Sequence, residues 1–221
     1  MTYRLFIDSA NPQEWDLARK RGWLHGVTTN PLIISRAGKR VDMATAADLV
    51  EAAKSRELAE IQLQVTGHSA DEMLASGRAL RELWGRVTVK VPATAAGFEA
   101  ASVLCREGAI VTITACYTAH QTMLAASIGA RYVAPYYGRM LDAGLDADNR
   151  LDAMLRIADL QENLAVLVAS IRSIDQLETL TARGFDTFTL TAALAEAVGQ
   201  AAESDAAAAD FMKAAEDSLR A

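Results

Sequence analysis

Lys90 stands in the middle of the apolar stretch Val87-Thr88-Val89-Lys90-Val91-Pro92. Side chains alternate along a strand, so Val87, Val89 and Val91 share one face while Thr88 and Lys90 share the other. An ammonium group on a strand covered on both faces is costly unless it is paired or gives up its proton. The alternative is a lysine near a strand end that snorkels to solvent. What other strands end in decides between the two. One apolar run ends in Asp8 and the next in Thr28-Thr29-Asn30. Further on, Gln62, Gln64 and Thr66 alternate with Ile61, Leu63 and Val65, and Thr112 and Thr114 oppose Val111 and Ile113. Later runs end in Ala134-Pro135-Tyr136 and in Ser170, with Arg172 just after it.

A lone inward lysine among neutral polar groups and one carboxylate suits an amine nucleophile. Its unperturbed pKa is ~10.4, so free amine is scarce at neutral pH unless desolvation lowers that value. A lowered pKa equips Lys90 to attack a ketone and form an iminium. Lys20, Lys39, Lys54 and Lys213, the other lysines, lie in polar helix or loop settings. Asp8 is the only carboxylate that can be placed with the strand ends, and it is the candidate proton shuttle. Arg139 and Arg172 follow strand ends, with Ser170 nearby. A guanidinium offers phosphate a bidentate fork, so the pair favours an anion site, although either could be a surface ion pair. His25, His68 and His120 are scattered without ligand spacing, and no Ser-His-Asp set or Walker-type loop occurs. No metal and no cofactor is expected.

These residues need elements to position them. Apolar runs of strand length alternate with amphipathic helical stretches from Tyr3–Asp8 to Phe185–Leu190, giving eight strands each followed by a helix. Asn11-Pro12 and the box Ser69-Ala70-Asp71-Glu72 mark helix starts. A polar loop with Gly138 and Gly144 leads into a helix from about Asp148, and Met140 to Asn149 is expected to cover the site. Regular alternation with short links predicts a parallel sheet, and eight units suit a closed (β/α)8 TIM barrel in a single domain spanning 1–221. An open doubly wound sheet is the rival, but the first turn, Ser9-Ala10-Asn11, is not glycine-rich. In a barrel, Gln64, Lys90 and Thr114 would point inward together at the C-terminal end. A further amphipathic helix, about 204–219, carries a stripe of Ala208, Phe211, Ala215 and Leu219. Packing on its own barrel and packing on a neighbouring subunit fit this stripe equally.

Composition removes several classes. The chain has 221 residues, of which 51% are hydrophobic, and a net charge of −6 that argues against a nucleic-acid surface. No apolar run is long enough to span a bilayer, so no membrane partner is expected. Residues Met1–Asp8 lack the pattern of a signal peptide, and Cys105 and Cys116 give no disulfide framework. A reducing cytoplasm is the default location.

Five segments are similar to the small transaldolase and fructose 6-phosphate aldolase family. They are Phe6-Ile7-Asp8-Ser9-Ala10, Gly26-Val27-Thr28-Thr29-Asn30-Pro31, Val89-Lys90-Val91-Pro92-Ala93-Thr94, Tyr132-Val133-Ala134-Pro135-Tyr136 and Ala169-Ser170-Ile171-Arg172. The resemblance implies a (β/α)8 barrel with Lys90 as the Schiff-base lysine and Asp8 as acid/base. Thr28 and Asn30 would bind the substrate, Asn30 at its dihydroxyacetone moiety, and Ser170, Arg172 and Arg139 its phosphate. The partners would be ketose and aldose phosphates. It also implies homo-oligomeric rings, pentamers or decamers, in which the C-terminal helix contacts a neighbour.

Two positions separate the branches of that family. Transaldolases carry glutamate where this chain has Gln64 and phenylalanine where it has Tyr136; the aldolases carry glutamine and tyrosine. A Gln64–Thr114–Tyr136 set would hold a catalytic water, which favours cleavage of a ketose phosphate into dihydroxyacetone and glyceraldehyde 3-phosphate. Arg172 instead matches the transaldolases, which transfer the dihydroxyacetone unit between sugar phosphates. A non-catalytic sugar-phosphate-binding barrel is the distant alternative.

Overall fold

The computed structural model describes residues 3–220. Met1, Thr2 and Ala221, which the expected domain span includes, lie outside the described residues. The chain runs β1 (Arg4–Asp8), α1 (Pro12–Lys20), β2 (Leu24–Thr28), α2 (Pro31–Arg36), α3 (Met43–Ser55), β3 (Glu60–Gln64) and α4 (Ala70–Glu82). It continues through β4 (Val87–Pro92), α5 (Ala95–Arg106), β5 (Val111–Cys116), α6 (Ala119–Ser127), β6 (Tyr132–Pro135), α7 (Tyr137–Asp142) and α8 (Ala147–Ala158). The last elements are β7 (Ala165–Val168), α9 (Ile174–Ala182), β8 (Thr187–Leu190), α10 (Ala192–Ala197) and α11 (Ala202–Ser218). Each strand pairs in parallel with the next, and β8 returns to β1, closing the (β/α)8 barrel.

Alternation along the strands divides the interior in two. Val87, Val89 and Val91 of β4, with Val111 and Ile113 of β5, join the core between strands and helices. The opposite faces enter the lumen, where Phe6, Tyr132, Ala134 and Leu167 form a separate cluster. Hydrogen bonds between strands that are not neighbours identify the lumen directly. Tyr132 Oη on β6 donates to Glu60 Oε2 on β3 at 2.9 Å, and Thr112 Oγ1 on β5 donates to Gln62 Oε1 on β3 at 2.9 Å. Among these buried polar groups, Gln62 and Thr112 are fully inaccessible, so each bond offsets a desolvation cost that water cannot meet.

Local chemistry explains most helix starts. Asn11 Oδ1 accepts from Gln13 N, and Ser69 and Glu72 close the expected capping box. Glu14 does not close a box at α1; it accepts from Ser9 Oγ, while Ser9 Oγ accepts from Asn11 N.

Two expectations need revision, and one alternative left open is narrowed. The stretch expected as a polar loop after β6 is largely the short helix α7, and Met140 within it is fully buried. Met140 to Asn149 is therefore two helix segments joined by 143–146, seated on the barrel, and not an open covering loop. Secondly, β6 is followed by two helices, not one, whereas the further helix after β8 was expected. Thirdly, α11 contains no buried residue, with Phe211 72% and Met212 62% exposed, so its stripe is not packed on its own barrel.

Candidate active site

Lys90 sits on the inward face of β4, level with Gln64 on β3 and Thr112 on β5. It does not snorkel: the residue is 3% exposed, and Nζ donates to the Thr29 carbonyl at 3.0 Å. Burial pushes the ammonium well below its ordinary pKa, and the charge of Asp8 pulls weakly the other way. Asp8, the last residue of β1, is pushed up by its own burial against the influence of Lys90, Thr28 and Arg139. Both groups are thus driven toward their neutral forms, the states in which an amine can attack and a carboxyl can give a proton.

A hydroxyl chain orients the carboxylate. Thr28 Oγ1 donates to Asp8 Oδ1 at 2.6 Å and lies 2.6 Å from Thr189 Oγ1. Thr28 has one proton, which goes to Asp8, so Thr189 donates to Thr28. Thr189 on β8 was not among the expected residues. Its signal was in the sequence, since Thr187 and Thr189 alternate with Phe188 and Leu190 as the threonines of β5 alternate with Val111 and Ile113.

Around this centre lies a cleft of about 320 Å³ whose walls include Asp8, Asn30, Lys90, Tyr136, Arg139, Ser170 and Arg172. Asn30 caps α2 by accepting from Ile33 N at 3.0 Å, which turns its amide nitrogen to other partners. Tyr136, its phenol pushed up by burial, lies 3.1 Å from Thr114 Oγ1. Gln64 is only partly united with them. It lines a separate cleft of about 230 Å³ with Met43 and Leu80, and its side chain makes no hydrogen bond to Thr114 or Tyr136.

The anion-binding side is more elaborate than the sequence suggested. Arg139 lies on α7, its guanidinium 4.8 Å from the centre of the Tyr136 ring. Arg172 is forked onto Asp142, with Nη1 2.6 Å from Oδ1 and Nη2 on Oδ2. Asp142 lines the same cleft, so Asp8 is not the only carboxylate there. Gly138 explains how α7 reaches this position: a Cβ there would stand 2.3 Å from Ser170 O and 2.8 Å from Arg172 Nε. Its amide instead donates to Ser170 O, and Ser170 itself takes a left-handed φ of 65°.

The three histidines are far apart in role. His25 lies beside Glu60 at the opposite end of the barrel, while His68 and His120 are exposed on the surface. Both cysteines are free thiols. Among the described residues, no helix is long and apolar enough to cross a membrane.

Residues 5–221 match the family described as Transaldolase/Fructose-6-phosphate aldolase. The chain belongs to this family. It is 33% identical over 192 residues to a "Probable transaldolase" of Jannaschia sp. (strain CCS1), covering 84% of each chain. A "Probable transaldolase" of Ruegeria pomeroyi is 32% identical over 88% of each chain. One of Streptococcus pyogenes serotype M5 is 33% identical over 82% of this chain and 83% of its own. This transaldolase/aldolase family member is thus an enzyme, and sugar phosphates are the substrates that fit its family.

Proposed function

We propose that Lys90 is the Schiff-base nucleophile of a class I aldolase acting on a ketose phosphate such as fructose 6-phosphate. The observation that carries this reading is the buried, pKa-depressed Lys90 amine sharing one cleft with Asp8 and with arginines that could take a phosphate. The amine adds to the ketose carbonyl, and Asp8 gives and takes the protons as the carbinolamine loses water to the iminium. The C3–C4 bond then breaks, its electron pair passing into the iminium to give an enamine. The proton of the C4 hydroxyl goes to a base, and glyceraldehyde 3-phosphate departs. Asn30 holds the dihydroxyacetone part, and Ser170 with the arginines holds the phosphate.

The enamine has two fates. Protonation and hydrolysis release dihydroxyacetone, which is aldolase chemistry; attack on a second aldose phosphate is transaldolase chemistry. The neutral Gln64 and the Tyr136–Thr114 pair favour the first. Specific support for the second comes from the relatives, which are named as transaldolases. Incubation with fructose 6-phosphate, with and without erythrose 4-phosphate, separates them. Glyceraldehyde 3-phosphate formed without acceptor is expected; product only with acceptor overturns the aldolase reading. Borohydride reduction with dihydroxyacetone should leave an adduct on the peptide holding Lys90.

A further inference from the structure

We propose that Arg36 is a substrate-binding and specificity-determining residue, holding the phosphate of the substrate from the rim opposite Arg139 and Arg172. This assignment rests on the iminium reading above and extends it. The observation behind it is an imbalance among the cations of the cleft. Arg172 has both terminal nitrogens committed to Asp142, so its charge is matched and its fork is occupied. An incoming phosphate has to compete with a carboxylate for it. Arg139 has its guanidinium over the Tyr136 ring. Arg36, in the last turn of α2, lines the same cleft and makes no ion pair or side-chain hydrogen bond to the described residues.

The placement suits such a role. α2 begins at Asn30, the cap that also lines the cleft, so a single turn and a half of helix separates the cap from the guanidinium. Arg36 and Asp8 are also shared with an adjoining cleft of about 480 Å³, which gives the long side chain room to swing without a clash. Its donors remain hydrated in the exposed rim and can be handed to phosphate oxygens as a planar fork. A basic residue in the last turn of a helix also balances the helix dipole. That role alone would leave substrate selectivity unmoved, which is what the test reads.

The experiment uses the full chain in the synthetic direction, with dihydroxyacetone as donor and either glyceraldehyde 3-phosphate or glyceraldehyde as acceptor. Arg36→Ala should reduce the ratio of kcat/KM for the phosphorylated acceptor to that for the neutral one by about 10-fold to 100-fold, the range of a charge-assisted hydrogen bond. Most of the loss should fall on KM. Inhibition by inorganic phosphate should weaken in the same variant, and Arg36→Lys should restore part of both effects. An unchanged ratio with unchanged phosphate inhibition overturns the assignment, and Arg36→Glu supplies a second variant for the same two readings. Borohydride trapping of dihydroxyacetone on wild-type protein reads Lys90 chemistry with no phosphate present. Trapping with an unmoved ratio removes Arg36 alone, whereas failed trapping removes the reading on which it rests.

Discussion

At the scale of single residues, Lys90 and Asp8 show how burial prepares a reaction. Each loses water, and in each the loss disfavours the charged form. Their mutual attraction opposes this without outweighing it. For the amine the sign is simple: attack needs the neutral form, which appears as pH rises through a pKa now below the ordinary lysine value. Asp8→Asn removes the carboxyl whose charge holds that pKa up, so the midpoint of the pH profile of borohydride trapping should move to lower pH in the variant, while the plateau rate falls for want of the proton shuttle. A midpoint that stays or moves upward would contradict the coupling. The same burial has a stability consequence. A folded pKa below the unfolded one means that the unfolded chain binds more protons between the two values, so Lys90 weakens the fold below that window and does so less as pH rises through it. Lys90→Met fills a similar volume without the amine. It should abolish turnover and raise Tm at pH 7, with the gain shrinking toward high pH; a lower Tm would sink this account. The alternation of valines made the face of Lys90 readable from sequence. That Nζ would meet the Thr29 carbonyl was not readable, because it depends on how two strands close around the lumen.

At the scale of elements, strands and capped helices were legible because their signals are local. The capping box at Ser69–Glu72 and the alternation in β3, β4 and β5 need no tertiary information. α7 was not legible for the same reason reversed. It has no side-chain cap and includes Gly138, and its first amides donate to Ala169 O and Ser170 O from another segment of the chain. Long-range contact builds it, and it delivers Asp142 to Arg172. Asp142→Asn should release the guanidinium and lower KM for a phosphorylated substrate several-fold; an increase would mean the pair positions Arg172 productively. The opposite end of the barrel offers a control. There Glu60 would be raised by burial, but the neighbouring His25 ring, 3.7 Å away, and the hydrogen bonds from Tyr132 and Gln62 outweigh that and hold it below the usual carboxylate range. Tyr132→Phe leaves a buried carboxylate short of a donor, costing about 1–3 kcal/mol. Denaturant unfolding should register that loss while kcat/KM stays near wild type, since Tyr132 lies at the far end from Lys90.

At the scale of the whole molecule, the barrel buries its strands and most helix faces, and α11 is the exception. Its residues Phe211, Met212 and Leu219 are 72%, 62% and 88% exposed. A helix of 17 residues with no buried side chain lacks the tertiary packing of an apolar face that supplies most helical stability in proteins. An apolar face left open in this way calls for a cover. Family resemblance implies rings in which this helix meets a neighbour, and the exposed stripe is the feature such a contact would use. Fully burying a phenylalanine contributes about 1.5–3 kcal/mol. In a ring the contact recurs at every interface, so one substitution acts several times. Phe211→Glu should therefore shift the protein to smaller species in sedimentation velocity at micromolar concentration. Lys90, on the barrel itself, should still be trapped with dihydroxyacetone in those species. An unchanged sedimentation coefficient would mean that α11 is not the element that joins the subunits.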